Sequence, residues 1–222
     1  MHSIQGLRLE MSASVASRKE FWFRLNQNKL TPVGAILIVL ILVVCLITPL
    51  LPLIDPDETD LAVRLETPFN AKHWLGTDEL GRDLLSRLLW GTRVSLAVGF
   101  AATFAAALIG STIGLVSGYF GGRIDSLLMR LIDTIWAFPY LLLALAIVAA
   151  FGPGLLNALM AIAIVNIPFF ARTVRGTTIT LTNREFVMAA RTSGAGHLDI
   201  LFRELLPNVL PVIVVTISTT AG

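Results

Sequence analysis

Long apolar runs alternate with short polar ones along this chain, and their lengths predict its elements. From Pro32 to Ile54 no charged residue occurs. A helix over that run would reach about 35 Å at ~1.5 Å per residue, enough to cross the ~30 Å hydrocarbon layer of a bilayer. A second charge-free run, Val94 to Gly122, lies between Arg93 and Arg123. The third, Thr134 to Ala171, is too long for one crossing, and Phe151 to Gly154 (FGPG) supplies the turn that divides it. The helix before that turn is expected to begin near Leu127, taking Arg130 and Asp133 into its first turns. A last apolar run, Val209 to Gly222, would span only about 21 Å. A chain ending there would stop in mid-bilayer, so the sequence is read as a fragment of a longer one.

The expected spans are therefore about 32–54, 93–118, 127–151, 155–174 and 206–222, the fifth incomplete. They form a transmembrane domain over 32–222, behind a polar tail at 1–31. The length of that tail and of the first apolar run argues against a cleaved signal peptide. The fold class is all-α, a polytopic transmembrane helical bundle. Gly110, Gly114 and Gly118 recur at four-residue intervals in the second span, a small-residue row that lets helix backbones approach closely in lipid.

Composition agrees. The chain is 55% hydrophobic and 14% charged, against about 25% charged in soluble domains. A net charge of +2 gives no footing for nucleic acid. The single cysteine, Cys45, sits inside an apolar run and is read as a small hydrophobe. Lysine and arginine cluster in 1–31, at Arg123 and between Arg172 and Arg203, and are sparser in the acidic loop after Ile54. The positive-inside rule then places the N-terminus, and the 177–205 loop, in the cytoplasm.

Several chemistries are absent from the sequence. None of Lys19, Lys29 and Lys72 follows a glycine, so there is no phosphate-binding P-loop. His2, His73 and His197 lack metal-ligand spacing, and no catalytic residue set is found. Asp133, with Arg130, is the one acid near a span interior. It would be required by an ion- or proton-coupled secondary transporter or channel, the alternative function. Pairing or solvation at the membrane interface is the simpler reading of it.

The segment Arg184 to Asn208 is too polar for lipid and too short for a domain. Phe186, Ala189, Ala190 and Ser193 share one helical face, and Glu185 near the helix start suits its dipole. Gly194 and Gly196 can end that helix. Leu198, Leu201, Phe202 and Leu205 form a second stripe, and Pro207 is expected to reset the chain direction. Helices this short need docking for stability. The surface they dock on is either a partner protein or, for an amphipathic linker, the bilayer.

The segment resembles the EAA loop of permease subunits in bacterial ATP-binding cassette importers, whose form is E-A-A-x-x-x-G-x9-I-x-L-P. Ala189, Ala190, Gly194, Leu206 and Pro207 fall in register with it. Met188 stands where that motif has its acid and Glu204 where it has Ile, but Glu185 to Ala195 matches the peptide-type form E-[YF]-V-x-A-A-R-x-x-G-A. His73 to Leu96 and Gly121 to Ala144 are similar to two further motifs of the dipeptide, oligopeptide, nickel and glutathione permeases, in which this chain resembles the C-type subunit. The first of these also reads as an external helix capped by Thr77 or Asp78, with Leu84, Leu85, Leu88 and Leu89 as its apolar stripe and Asp83 four residues before Arg87. Scaffolding of the span entry is its expected role, with reception of a binding protein as the other.

The resemblance implies a type I importer permease fold with six core spans, in the bacterial cytoplasmic (inner) membrane. It implies a second permease subunit in a heterodimer, two ATP-binding subunits that hold ATP and Mg, and an extracytoplasmic solute-binding protein. The implied cargo is a peptide, glutathione or a nickel chelate, and no substrate-binding residue is assigned. Glu185, Ala189, Ala190, Gly194 and Ala195 would form an ATPase-coupling elbow, with Leu206 and Pro207 as its rear anchor.

Overall fold

A computed structural model of the chain describes residues 30–70 and 72–220. The expected polar tail lies outside the described residues up to position 29, as do the last two positions of the expected fifth span. The chain divides into two compact units, Met1–Arg93 and Val94–Gly222.

In the first unit, helix α1 (Leu30–Ile47) exposes apolar side chains all round, among them Ile36, Ile38, Leu40 and Leu46, as suits a helix with lipid for solvent. It closes in a 3-10 turn, Thr48–Leu50, where the buried Thr48 hydroxyl donates to the Val44 carbonyl at 2.7 Å. A polar knot follows, built by the stretch resembling the first of the two further permease motifs. The Thr77 hydroxyl accepts from the Glu66 N–H at 2.9 Å and donates to the Val63 carbonyl. Asp78 accepts from the N–H groups of Leu80 and Arg82 and from the guanidinium groups of Arg82 and Arg87. Burial pushes the Asp78 carboxyl up, but its bonds to the Arg82 and Leu80 N–H groups and to the Arg82 side chain together hold it well below the usual carboxylate range. Gly76 and Gly81 adopt φ of +79° and +74°, and a Cβ at Gly81 would fall 1.7 Å from the Asp60 carbonyl oxygen.

Helix α2 (Leu84–Phe120) corrects three expectations. It is one helix of 37 residues, not an external helix followed by a span. Its cap is Asp83, which accepts the Ser86 N–H at 2.8 Å and also binds His73 Nδ1 at 3.0 Å. Thr77 and Asp78 are consumed in the knot. Arg87 accordingly pairs with Asp78, not with Asp83.

The second unit holds the rest of α2 and helices α3 (Gly122–Trp136), α4 (Tyr140–Phe151), α5 (Leu155–Thr182), α6 (Glu185–Thr192) and α7 (His197–Thr220). The glycine row of α2 packs on α5. A Cβ at Gly110 would lie 2.6 Å from the Ile167 carbonyl oxygen, one at Gly114 2.4 Å from that of Ala171, and one at Gly118 2.7 Å from Thr178 Cβ. Only glycine permits so close an approach of two backbones. Phe170 and Val174 of α5 join Val187 of α6 and Ile200, Leu205 and Val209 of α7 in one fully buried cluster.

Three further expectations on helix limits are revised. The helix expected over 127–151 is broken between α3 and α4, whose axes are bent by 87°. Pro139 causes the break: it disfavours helical geometry at Phe138 and offers no N–H of its own. Helix α5 runs past the expected limit of 174 to Thr182, so the start of the 177–205 loop is helical. The hydroxyls of Thr177, Thr178, Thr180 and Thr182 each donate to the carbonyl four residues earlier, which keeps polar side chains satisfied without breaking the helix. Pro207 does not redirect the chain, because α7 is continuous across it. The π-helical stretch Ile200–Leu205 widens the preceding turn, with the Leu206 N–H reaching back to the Leu201 carbonyl, and this relieves the clash that a proline ring makes with an ordinary α turn.

Among the described residues, four helices are long and apolar enough to cross a membrane, and up to five if α3 and α4 are one broken span.

Candidate coupling site

The elbow comprises α6, the turn Ser193–Gly196 and the start of α7. Arg184 enters it in extended geometry, and Glu185 occupies the first turn, where its charge complements the helix dipole. Val187 is completely buried and pins α6 to the core. The turn is a Schellman motif: the Ala195 N–H donates to the Ala190 carbonyl at 3.0 Å and the Gly194 N–H to that of Arg191 at 3.1 Å. Gly194 takes φ of +82°, the left-handed position that such a cap requires.

Each residue expected in this site can now be placed. Glu185, Ala189 and Gly194 are exposed, and among the described residues nothing lies within 4 Å of a Cβ built on Gly194. Ala190, Ala195 and Leu206 are half-buried and pack against the core cluster. Pro207 is exposed on α7. The turn brings Ala190 and Ala195 together through their hydrogen bond, while Leu206 sits on the same core. Beside the turn is a shallow hollow of about 280 Å³ lined by Ser193, Gly194, Ala195, Asp199, Arg203 and Glu204.

The expected faces shift in register. On α6 the inward positions are Val187 and Ala190, while Phe186, Ala189 and Ser193 are exposed. On α7 the expected stripe splits: Leu201 and Leu205 are buried with Ile200, but Leu198 and Phe202 are 69% and 60% exposed. The π turn is the cause, since its i→i+5 bonding sets inward positions further apart than an α period does. Val187 and Ile200 were the residues that the sequence reading missed.

Charged groups fasten the neighbouring helices. Asp125 of α3 receives two bonds from the Arg175 guanidinium of α5, each 2.6 Å, and a third from Ser117 of α2. Asp133 pairs with Arg172 at 2.6 Å rather than with Arg130, and the Arg172 guanidinium lies 4.2 Å from the Trp136 ring centre. No local signal could have found these pairs, whose partners stand 50 and 39 positions apart.

The amino-acid sequence has relatives among known proteins. Residues 110–222 match the family described as "binding-protein-dependent transport system inner membrane component", and residues 18–68 match "N-terminal TM domain of oligopeptide transport permease C". A dipeptide transport system permease protein of Alkalihalophilus pseudofirmus is 46% identical, over 94% of this chain and 68% of the relative. The chain belongs to the binding-protein-dependent transport permeases. A dipeptide transport system permease protein of Haemophilus influenzae is 37% identical over 90% of this chain and 70% of its own length. A glutathione transport system permease protein of Pectobacterium atrosepticum is 42% identical over 92% and 68%. The chain thus spans about two thirds of the length of the relatives it matches.

Membership makes this chain a multi-pass membrane subunit of an ATP-binding cassette importer, a transport permease rather than a catalytic subunit. The ion-coupled alternative loses ground to the family match, and Asp133, the acid it needed, is engaged by Arg172.

Proposed function

We propose that this permease imports short peptides or glutathione-like solutes, and that the elbow receives the driving movement from an ATP-binding subunit. The cargo class rests on the relatives, which are named for dipeptide and glutathione transport. The observation that carries the coupling role is the two-sidedness of the elbow. Val187, Ala190 and Leu205 hold its back to the core, while Glu185, Ala189, Ser193 and Gly194 are exposed on its outer face. A small-residue face offered at a capped turn suits close docking by a larger protein.

In this reading two ATP-binding subunits carry the ATP and Mg, and a second, non-identical permease completes the passage. An extracytoplasmic binding protein delivers the solute. The subunit resides in the bacterial inner membrane with its N-terminus and elbow in the cytoplasm, in keeping with the distribution of Lys and Arg. Closure of the ATPases moves the elbow as a rigid body, with Glu185, Ala189, Ala190, Gly194 and Ala195 docked and Leu206 and Pro207 carrying the movement into α7. Such coupling requires the docked surface to favour one state of the passage over the other.

The test is co-purification and sidedness together. The affinity-tagged permease, co-expressed with candidate ATP-binding and permease subunits, is expected to retain the ATP-binding subunits in detergent. A cysteine at Thr192 in a Cys45→Ser background is expected to react with an impermeant maleimide only when the cytoplasmic face is opened. Labelling from the exterior of intact cells would overturn the assignment.

A further inference from the structure

The last turn of α2 meets both arms of the elbow through one side chain. Tyr119 is 7% exposed, and its hydroxyl shares a 2.8 Å hydrogen bond with Nδ1 of His197, the first residue of α7. The two rings stand edge to face at 5.7 Å, and the Phe120 ring lies 5.6 Å from the same imidazole. From the other arm, the guanidinium of Arg191 in the last turn of α6 sits 5.3 Å from the centre of the Tyr119 ring. One tyrosine therefore touches α6 through its π face and α7 through its hydroxyl.

The neighbours of Tyr119 are fixed as well. Ser117 donates to Asp125 of α3, and Gly118 is in backbone-close contact with Thr178 of α5. These contacts tie the end of α2 to α3 and α5. If His197 and Arg191 move, Tyr119 either follows, carrying α2 with it, or loses its contacts. Losing them would leave a part-buried hydroxyl without its bond and a cation without its ring, both unfavourable.

We infer that Tyr119 is a positioning residue for transport: together with His197 and Arg191 it passes elbow movement to α2, beside the covalent route into α7. The inference rests on the coupling role proposed above for the elbow. Without this latch α7 would still move with the ATPase, but α2 would lag, and hydrolysis would run with less solute carried. The hydroxyl is the part that transmits, because among the described residues it alone joins α2 to α7 by a side-chain hydrogen bond.

The test uses the complete transporter in proteoliposomes, with binding protein and a radiolabelled dipeptide, and reads solute carried per ATP hydrolysed. Tyr119→Phe and His197→Phe each remove the bond and keep an aromatic ring. Each is expected to retain the ATPase subunits at wild-type stoichiometry and to lower the transport ratio by at least about fivefold. The double variant is expected to lose no more than the worse single one, because both remove the same interaction. A wild-type ratio in Tyr119→Phe, or losses that multiply in the double variant, would overturn the latch while leaving elbow docking intact. Loss of the ATPase from the wild-type complex would instead remove the coupling reading itself.

A second measurement does not depend on the variants assembling. Spin labels at Arg123→Cys and Thr192→Cys in a Cys45→Ser background report the separation of the α2–α3 corner from the elbow. It is expected to stay within about 2 Å between nucleotide-free and ATP-trapped states, and a change as large as a helical turn, about 5 Å, would show that the two part company.

Discussion

The polar knot at 55–83 and the elbow at 184–206 are both short, turn-rich segments that resemble family motifs, yet they use their residues in opposite ways. In the knot the motif is turned inward. His73, Thr77 and Asp83 are buried, and Gly76 and Gly81 stand against backbone atoms of the same segment. In the elbow the motif is turned outward, since Glu185, Ala189 and Gly194 are exposed. A motif consumed by its own fold is scaffold, and the knot therefore favours the scaffolding role expected of it. A motif left on display is available to something else.

The comparison predicts different failures, and the largest belongs to the knot. Gly81→Ala places a Cβ 1.7 Å from the Asp60 carbonyl oxygen at a φ of +74°. Backbone must move, and folded protein in the membrane is expected to fall by about tenfold or more, read by detergent-solubilised yield and fluorescence size-exclusion. Equal yield of Gly81→Ala and wild type would break the contrast at once.

At Gly194 the constraint is conformational, not spatial. Gly194→Val disfavours the left-handed turn by roughly 1–2 kcal/mol, so moderate loss of stability is expected, with poor ATPase retention or uncoupled hydrolysis as the main defect. Gly194→Asn, which tolerates left-handed geometry, should restore the turn, and its ATPase retention separates the effect of the turn from that of close docking.

Ala189→Leu sharpens the comparison further. The site is exposed, so thermal stability should change by no more than about 0.5 kcal/mol. Retention of the ATP-binding subunits should nonetheless drop, which pull-down stoichiometry measures. Unchanged retention would mean that this face is not the docking face.

The smallest expected effect is titration of the knot. The Asp78 carboxyl is held below its ordinary range in the folded protein, so its contribution to stability is present above the unfolded pKa. That contribution fades as pH falls from there towards the folded value. Asp78→Asn should lower the melting midpoint at neutral pH and flatten its decline on acidification, leaving the elbow's ATPase retention unaltered. A wild-type acid profile in the variant would show that the carboxylate does not hold the knot.

Much of this architecture was legible along the chain. The apolar runs located the membrane helices because a hydrocarbon solvent demands length and apolarity, both linear properties. The glycine row announced a close helix contact, and Gly194 announced a turn, since each reflects what a missing Cβ permits. Pro139 also carried a legible signal for the α3–α4 break, masked by the apolar residues on either side.

Other features were decided only when the chain folded. The row Gly110, Gly114 and Gly118 did not name α5 as its partner, and Asp125, Arg175, Tyr119 and His197 carry no local sign of one another. The continuity of α7 through Pro207 depends on a π turn stabilised by packing of Ile200, Leu201 and Leu205, which local propensity opposes. Sequence determined where the chain could be helical and where it could turn, because those choices depend on neighbours within a few residues. Which faces met, and which motif stayed uncovered, depended on contacts between residues far apart in the chain, and such contacts exist only in the folded molecule.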